Sequence, residues 1–405
     1  MQVWEWLFWS CVALLLYPYV LYPAGVLLVS WIKRKITPSP LPLLTTYPEV
    51  TIVIPAYREA GSVVPKMESI RQLEYPKDKI RVLWVIATHE GDESFAPTLE
   101  ALRAYPEAEV LIVEHRGKIH SLNEARGRVK TEYVLISDAD VLLSSTSLLQ
   151  AIRRAESDPR IAIVGGRRCI GSSGKEVPTG QNEGMYVRFD ALLGAAEGTW
   201  GYALGLWGGF LLMKQNFWSL MPSGVVDDLY LNLDAILQGG KVVIEPTAKS
   251  YELPSPDIST EFRRKVRIAY TAFHTIAAIP LWKRIWKVPT FAFFFLSHKL
   301  FRYLIAPIAL VGLWGSTIFL AVEYPYSLYG VMLVGQGIAW IEALILLRYP
   351  ALRLPFGTGM PGYFVLAHVA QLVGLWRFLR QEDPVKVWQR LPRVELQPSA
   401  SDVKV

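Results

Sequence analysis

Two aspartates separated by a single residue, Asp138 and Asp140, follow an apolar run near the middle of the chain. Residues i and i+2 of an extended segment share a face, so both carboxylates are predicted to point the same way. Carboxylate oxygens suit a hard cation such as Mg²⁺ or Mn²⁺, and such a cation can neutralise the phosphates of a nucleotide. The same pattern occurs in solvated turns, but its place behind a predicted buried strand favours a metal and nucleotide site.

A second pair of acids, Asp227 and Asp228, stands at the start of a predicted helix. Neighbouring helical residues diverge by about 100°, so one carboxylate can cap the helix while the other faces a cleft. A carboxylate that faces a sugar hydroxyl can act as a general base. Helix capping alone would explain the pair as well as catalysis does.

Two further segments have the composition of a binding site. Gly117, Lys118 and Asn123 open a predicted helix, where a cation and an amide can bind phosphate. Between residues 198 and 209, glycines that permit close approach alternate with aromatic rings that stack on sugars: Gly198, Trp200, Gly201, Tyr202, Gly205, Trp207, Gly208 and Gly209. This second pattern favours a carbohydrate surface but is unspecific by itself.

The elements that must position these residues alternate between strand and helix from about residue 48 to residue 262. β-branched runs predict strands at 49–54, 81–87, 110–113 and 133–137, and helical patterns are found at 61–73, 94–104, 121–129 and 147–157. This alternation predicts parallel βαβ units, whose ligands bind beyond the carboxyl ends of the strands. The polar segments 55–59, 88–92 and 138–140 all fall at such ends.

The composition indicates a membrane protein rather than an ordinary soluble enzyme. Of the 405 residues, 52% are hydrophobic and 19% are charged, whereas about 25% are charged in typical soluble domains. Two cysteines cannot build a disulfide framework, and the six histidines show no zinc-ligand spacing. The net charge of +6 suits contact with anionic membrane lipids, and no nucleic acid is expected as a partner.

Four segments without charged residues are long enough to span a membrane: 6–32, 303–322, 324–341 and 354–376. Lys33, Arg34 and Lys35 follow the first, so the positive-inside rule places the N-terminus outside and the middle of the chain in the cytoplasm. A cleaved signal peptide is the alternative for this first segment. The basic tail beyond residue 376 disagrees with a fourth crossing, which leaves open whether one segment lies in the interface.

The chain is thereby divided into five parts. They are an anchor at 1–35, a globular domain at 48–262, interfacial helices at 263–302, C-terminal membrane helices at 303–380 and a tail at 381–405. The interfacial helices are predicted because nine basic residues and one acid alternate with short apolar stretches between residues 261 and 302. A solvated basic face of the globular domain is the alternative.

Five motifs in this order resemble the family 2 inverting glycosyltransferases, in the membrane-integrated branch that includes cellulose, chitin and hyaluronan synthases. They are Ile-Pro-Ala-Tyr-Arg-Glu at 54–59, Gly-Lys-x-x-x-Leu-Asn at 117–123, Asp-Ala-Asp at 138–140, Asp-Asp at 227–228 and Arg-x-x-Arg at 264–267. The resemblance implies an α/β, Rossmann-like GT-A domain in the cytoplasm, with N- and C-terminal transmembrane helices in a bacterial-type plasma membrane. It also implies a nucleotide-diphosphate sugar, preferably UDP-linked, as donor of a hexose or N-acetylhexosamine, Mg²⁺ or Mn²⁺ as cofactor, and a lipid-linked or saccharide acceptor.

The resemblance also implies roles for individual residues by position. The donor nucleotide is expected to contact Pro55, Tyr57, Glu59, Lys118 and Asp138, with Lys118 on the diphosphate side. Asp140 is expected to bind the metal, Asp228 to act as the base, and Arg267 to neutralise the departing diphosphate. The acceptor is expected near Asp227, Trp207 and Arg264.

Two departures from the family pattern affect these expectations. Where the family usually has Asp-Asp-Gly-Ser, this chain reads Thr-His-Glu-Gly-Asp at 88–92, so the acid that reads the base is either Glu90 or Asp92. Processive synthases end the catalytic domain with Gln-x-x-Arg-Trp, and the matching segment here has Arg264, Arg267 and Ile268. In those synthases the tryptophan is thought to stack on the acceptor sugar, so its replacement by isoleucine argues against long-chain polymerisation.

The sequence therefore predicts a membrane-bound enzyme that transfers one sugar by single displacement. A processive polysaccharide synthase is the first alternative. A degenerate membrane subunit that binds nucleotide or a partner without chemistry is the second. Product length separates the two enzymes, and hydrolysis of a nucleotide sugar would exclude the degenerate subunit.

Overall fold

The computed structural model of the chain describes residues 2–37, 40–89, 91–170, 180–252, 257–349 and 359–382. Glu90, one of the two candidates for reading the base, lies outside these ranges, as does most of the predicted tail.

An eight-stranded mixed sheet forms the centre of the globular domain. Its strands are β1 Val50–Ala56, β2 Ile80–Thr88, β3 Ala108–Glu114, β4 Tyr133–Ile136, β5 Leu142–Leu143, β6 Ile161–Ile170, β7 Leu211–Lys214 and β8 Lys241–Glu252. They lie in the order β3-β2-β1-β4-β7-β6-β8-β5. The four strands predicted from the sequence are confirmed and are parallel, and β7 then pairs antiparallel with β4.

The helices of the globular domain pack on both faces of this sheet. They are α2 Ala60–Arg71, α3 Ala96–Leu102, α4 Lys118–Arg126, α5 Ser147–Glu156, α6 Gly180–Glu197 and α7 Asp227–Leu237, after the N-terminal helix α1 Gln2–Ile36. Helix α4 begins at Lys118, three residues before the predicted start, because Gly117 directly before it takes a positive φ of 89° that glycine permits and redirects the chain into the helix. The lysine therefore lies in the first helical turn, at the carboxyl edge of the sheet.

Four helices are long and apolar enough to cross a membrane. They are α1 Gln2–Ile36, α10 Pro289–Glu323, α11 Leu328–Arg348 and α12 Met360–Leu379. Helix α8 Ile258–Ala278 and the short α9 Leu281–Arg284 connect the globular domain to α10. Each of the four predicted apolar segments overlaps one of these long helices, and the first residues of the segment predicted at 354–376 lie outside the described residues.

The boundaries at 262/263 and 302/303 differ from the observed helices, since both fall inside a continuous helix, α8 and α10 respectively. A membrane segment that is bounded by charged residues is predicted on the assumption that charged side chains are exposed. In α10, however, His298 and Arg302 are buried, with 1% and 3% of their surface exposed. A π-helical stretch, Phe295–Ile305, carries both residues.

The membrane helices and the globular domain share one hydrophobic cluster. Tyr22 and Val26 of α1 and Phe291 and Phe295 of α10 pack with residues of the sheet such as Val53. Burial of aromatic side chains contributes strongly to stability. The sheet is therefore fixed relative to the membrane helices.

Candidate active site

One lysine joins two of the predicted acidic motifs. Lys118 Nζ lies 2.7 Å from Asp138 Oδ1 and 2.7 Å from Asp227 Oδ2. The backbone N–H of Gly208 donates to Asp228 Oδ2 at 2.9 Å. Residues 198–209, with their alternating glycines and aromatic rings, are called the glycine-rich loop below. The structure thus brings this loop together with the starts of α4 and α7 and with the segment after β4. This is expected for parallel strands whose carboxyl ends meet at one edge.

Burial and charge give the two acids of α7 different environments. Burial and the neighbouring Asp227 carboxylate raise the pKa of Asp228 to about 7, although Lys118 and Lys299 oppose the shift. Burial lowers the pKa of Lys118, but Asp138 and Asp227 outweigh it, so the net shift is upward and the ammonium stays charged. Asp227 thus faces a permanent cation, whereas Asp228 has the proton affinity of a general base at neutral pH.

The pKa of Asp228 predicts the pH dependence of the reaction. A base must be deprotonated, so kcat/KM should rise with pH below about 7 and level off above it. Lys118→Gln removes a cation that lowers this pKa, so the midpoint should move to higher pH. The test is a pH–rate profile of both proteins, and an unchanged or lower midpoint in the variant would contradict the assignment.

A buried lysine, which was not predicted from the sequence, donates hydrogen bonds on both sides of the Asp138–Asp140 segment. Lys66 is fully buried, and its Nζ donates to Ser137 Oγ and to the Val141 carbonyl, both at 2.6 Å. Ser137 Oγ in turn donates to the Gly209 carbonyl at 2.7 Å. Burial lowers the pKa of Lys66 to about 7, and the carboxylates of Asp138 and Asp140 act against that shift. Lys66 therefore links the aspartate segment to the glycine-rich loop.

Replacement of this lysine by an apolar side chain should destabilise the protein. Lys66→Met leaves the Val141 carbonyl without its donor in a buried site, which costs about 2 kcal/mol. Thermal unfolding of the purified protein measures the effect. Lys79→Met is the control, since Lys79 makes an exposed ion pair with Glu49 and its replacement should leave the melting temperature nearly unchanged. Equal melting temperatures for the two variants would show that the buried contacts contribute nothing.

Aromatic rings gather where β1, β2 and β3 end. Tyr57 stacks on His115 with ring centroids 3.9 Å apart, and His89 meets His115 edge-on at 4.8 Å. The backbone of Arg58 is in the left-handed conformation, with φ 58°. The Nη2 atom of its side chain lies 3.0 Å from Asp92 Oδ2. Such planar surfaces can stack on a nucleobase.

The other residues expected at the nucleotide lie along the same edge. Pro55 stands within β1 opposite Val85, and Glu59 precedes α2, where its carboxylate accepts from Ser62 Oγ at 3.0 Å. His115 was not predicted, although its position directly after β3 is the signal that could have found it.

Asn123, expected to bind phosphate, has another function in the structure. Its amide Nδ2 donates to the Met221 carbonyl at 2.8 Å, and the Met221 N–H donates to its Oδ1 at 3.0 Å. Both ends of the side chain are thus used to hold the loop before α7. The structure thus gives Asn123 a structural role, and a phosphate contact at this residue stays a prediction.

The donors near Asp140 suit a hard divalent cation. Asp138 and Asp140 present carboxylates beside Lys66, at the carboxyl end of β4. Within the described residues, no three or more His, Cys, Asp or Glu side chains form a ready-made metal cage. One or two protein carboxylates, completed by phosphate and water, is the usual coordination of Mg²⁺, so Asp140 fits the predicted metal.

A cavity of about 580 Å³ extends from Asp228 to the membrane helices. Its walls include Trp207 and Arg264, two of the predicted acceptor residues, together with Ile268 and residues of α12 such as Tyr363 and His368.

The third predicted acceptor residue, Asp227, faces Lys118 instead. Arg267 lies on α8 between Arg264 and Ile268 and is half-buried. The cavity beside Asp228 is therefore large enough for a substrate next to the membrane helices.

A buried polar network fastens the glycine-rich loop to the membrane helices. Glu197, at the end of α6, is fully buried and accepts hydrogen bonds from Tyr22 OH at 2.7 Å and from the Leu204 N–H at 3.1 Å. His298 Nδ1 lies 2.7 Å from the same carboxylate, and Arg302 lies 2.7 Å from Asp190. The network was not predicted, because its members are far apart in sequence and form no local motif.

Comparison with known proteins identifies the family. Residues 48–271 match the model of a family described as Glycosyltransferase like family 2. Poly-beta-1,6-N-acetyl-D-glucosamine synthase of Staphylococcus aureus (strain MSSA476) is 21% identical over 233 residues, which are 54% of this chain and 53% of that protein. The synthase of the same name from Staphylococcus epidermidis is 24% identical over 118 residues, 29% of this chain and 28% of the other. The chain thus spans about half the length, or less, of these curated relatives.

A solved structure supports the same fold. A mannosyltransferase from Pyrobaculum calidifontis, in complex with GDP-Man and Mn²⁺, matches with a TM-score of 0.66 and 20% identity, over 93% of this chain and 100% of that one. The predicted GT-A domain with its apolar N- and C-terminal helices is thereby confirmed. Because the family model covers more than half of the sequence, the chain belongs to the family 2 glycosyltransferases.

Proposed function

We propose that this membrane protein transfers a sugar from a nucleotide-diphosphate sugar to an acceptor hydroxyl held in the cavity between Asp228 and the membrane helices. The observation that carries the proposal is the position of Asp228. Its carboxylate lines the cavity, is fixed by the Gly208 N–H, and has a pKa of about 7. Those are the properties of a general base that receives a proton from an enclosed substrate.

The reaction is a single displacement that inverts the anomeric carbon. The acceptor oxygen attacks that carbon and gives its proton to Asp228, while the bond from the carbon to the nucleoside diphosphate breaks on the opposite side. Lys118 and Arg267 supply positive charge toward the leaving diphosphate. Tyr57 and His115 stack on the base, and Asp138 holds the nucleotide.

A divalent cation fits this arrangement at Asp140, with Asp138 nearby. When bound, Mg²⁺ or Mn²⁺ would neutralise the charge that develops on the diphosphate. The donor is preferably UDP-linked. GDP-mannose is the second candidate, since the mannosyltransferase of the same fold was solved with GDP-Man and Mn²⁺.

A single transfer is favoured over polymerisation. Ile268 lines the cavity at the position where the processive synthases have a tryptophan, so the aromatic platform for a growing chain is missing there. The processive alternative is supported by the curated relatives, which are named as poly-beta-1,6-N-acetyl-D-glucosamine synthases. Product length decides between the two.

We also propose that the globular domain lies in the cytoplasm. The last turn of α1, which leads into the globular domain, contains Lys33, Arg34 and Lys35. Basic residues at this end of a membrane helix agree with the positive-inside rule. Nucleotide sugars made in the cytoplasm would then reach the site directly.

The test is a panel of nucleotide sugars incubated with membranes that contain the protein. Metal-dependent release of nucleoside diphosphate with one donor, and a product extended by one sugar, is the expected result. A ladder of products would favour the processive synthase. Absence of release with every donor would overturn the transferase and favour the degenerate subunit.

A further inference from the structure

Helix α12, the last of the four long apolar helices, packs along α8. Near the start of both helices, Tyr363 OH donates to Glu261 Oε1 at 3.3 Å. Further along, Gly374 lies so close to α8 that a Cβ at this position would be 2.7 Å from the nearest side-chain atom of that helix. Near the ends, the rings of Phe378 and His274 are 5.0 Å apart. The two helices therefore run in the same direction and end at the same level.

Both ends of α8 lie on the side of the globular domain. In its last turn, Thr275 Oγ1 accepts a hydrogen bond at 2.9 Å from the Val226 N–H, directly before the helix that carries Asp228. Its first residue, Ile258, shares a hydrophobic cluster with Leu346 near the end of α11. Helix α10 begins among residues that pack on the sheet, and α11 returns from the far end of α10 to α8. The end of α11 is therefore also on the globular side.

The start of α12 is fixed at this same end of α11. The Gly362 N–H donates to Glu342 Oε2 at 3.1 Å, and Glu342 belongs to the last two turns of α11, which ends at Arg348. Leu366 packs with Leu346 in the cluster shared with α8. Since the other end of α12 lies beside the last turn of α8, both ends of α12 are on the globular side.

The far ends of the other membrane helices form a separate cluster. Phe8 and Cys11 of α1 pack there with Leu313 and Leu320 of α10, and Met332 of α11 packs against them. Among the described residues, α12 contributes no side chain to this cluster. A helix that crossed the bilayer would place one of its ends at this level.

We propose that α12 does not cross the membrane but lies at its surface on the side of the globular domain, so that the tail is on that side as well. Three crossings then remain, by α1, α10 and α11. The 20 residues of α12 are long enough to span the hydrocarbon core, so length and composition alone cannot distinguish the two arrangements. The contacts of its two ends do, because a crossing would separate them by the whole core.

The exposed residues at the end of α12 suit the headgroup layer of the nearer leaflet. Trp376 and Leu379 are exposed, and the guanidinium of Arg380 lies 4.5 Å from the centroid of the Trp376 ring. Tryptophan and basic side chains commonly anchor a helix at this depth. The basic tail disagrees with a fourth crossing, whereas three crossings place it on the same side as Lys33 and Arg34, as the positive-inside rule requires.

This arrangement also accounts for the apolar residues of α12 beside the base. Met360, Phe364 and Ala367 line the same cavity as Asp228. With α12 at the surface, that cavity lies at the level of the nearer leaflet and not in the core of the bilayer.

The test is labelling of single cysteines with a membrane-impermeant maleimide, in intact cells and in inverted membrane vesicles. The full-length protein is used, with Cys11 and Cys169 replaced by alanine. Two reference positions are exposed: Glu100→Cys marks the globular domain, and Tyr326→Cys marks the connection between α10 and α11. These two should label from opposite sides of the membrane.

Leu379→Cys, at the end of α12, and Ser399→Cys, in the tail, should both label from the side of Glu100→Cys. If Leu379→Cys does not insert into the membrane, Ser399→Cys gives the same comparison. Labelling from the side of Tyr326→Cys would demonstrate a fourth crossing and overturn the inference. Labelling of Glu100→Cys in intact cells would refute the proposed cytoplasmic position of the globular domain but not the inference, which compares positions within one chain.

Discussion

Asp228→Asn is expected to lower kcat for sugar transfer by about 10³-fold while the nucleotide binds as before. Asn cannot accept the proton of the attacking hydroxyl, and general-base catalysis contributes between 10² and 10⁴ in rate. The amide has the shape of the carboxylate, and its oxygen can still accept from the Gly208 N–H. Transfer is measured as release of nucleoside diphosphate, and nucleotide affinity by calorimetry.

Asp234→Asn is the matched control for this experiment. Asp234 lies on the same helix as Asp228, but its carboxylate bonds with Ser219 and Gln238 and is not part of the cavity lining among the described residues. Transfer by this variant should stay close to wild type. If Asp228→Asn kept full activity, the proton would have to leave by another route and the proposed mechanism would be wrong.

The parallel half of the site was predictable because it follows from local patterns. The run 133–136 is apolar and β-branched, and any polar residue directly after such a strand reaches the ligand edge of a parallel sheet. Asp138 and Lys118 could therefore be assigned to one site from the sequence. The strands β6 and β8 were not predicted, because β6 contains Gly165 and Gly166 and β8 contains Pro246, which interrupt the pattern of a strand.

Buried charges explain most of what the sequence did not reveal. Lys66 occupies the same helical face as Val63 and Ile70, so its position on a buried stripe was visible, but a lysine is usually placed in solvent. Arg302 likewise set the beginning of the predicted membrane segment 303–322, although Arg302 is buried against Asp190 and the neighbouring His298 against Glu197. In each case the partner is distant in sequence, and only the tertiary structure supplies it.

The second large effect is expected at Glu197, where Glu197→Ala should reduce the free energy of unfolding by about 3–5 kcal/mol. Tyr22 OH, the Leu204 N–H and His298 all bond to this buried carboxylate, and each would lose its partner at once. Such a loss should lower the melting temperature in detergent by about 4–6 °C for a chain of this size. Glu323→Ala, which removes an exposed acid at the end of α10, should leave it unchanged.

The milder Glu197→Gln separates stability from catalysis. Its amide oxygen can still accept from Tyr22 or Leu204, so the fold should largely persist, but the charge that faces His298 is lost. The Leu204 contact fixes the middle of the glycine-rich loop, whose Gly208 N–H holds Asp228. Well below its melting temperature, this variant should therefore show a lower kcat with an unchanged donor KM. An unchanged kcat would mean that the network anchors the membrane helices without positioning the base.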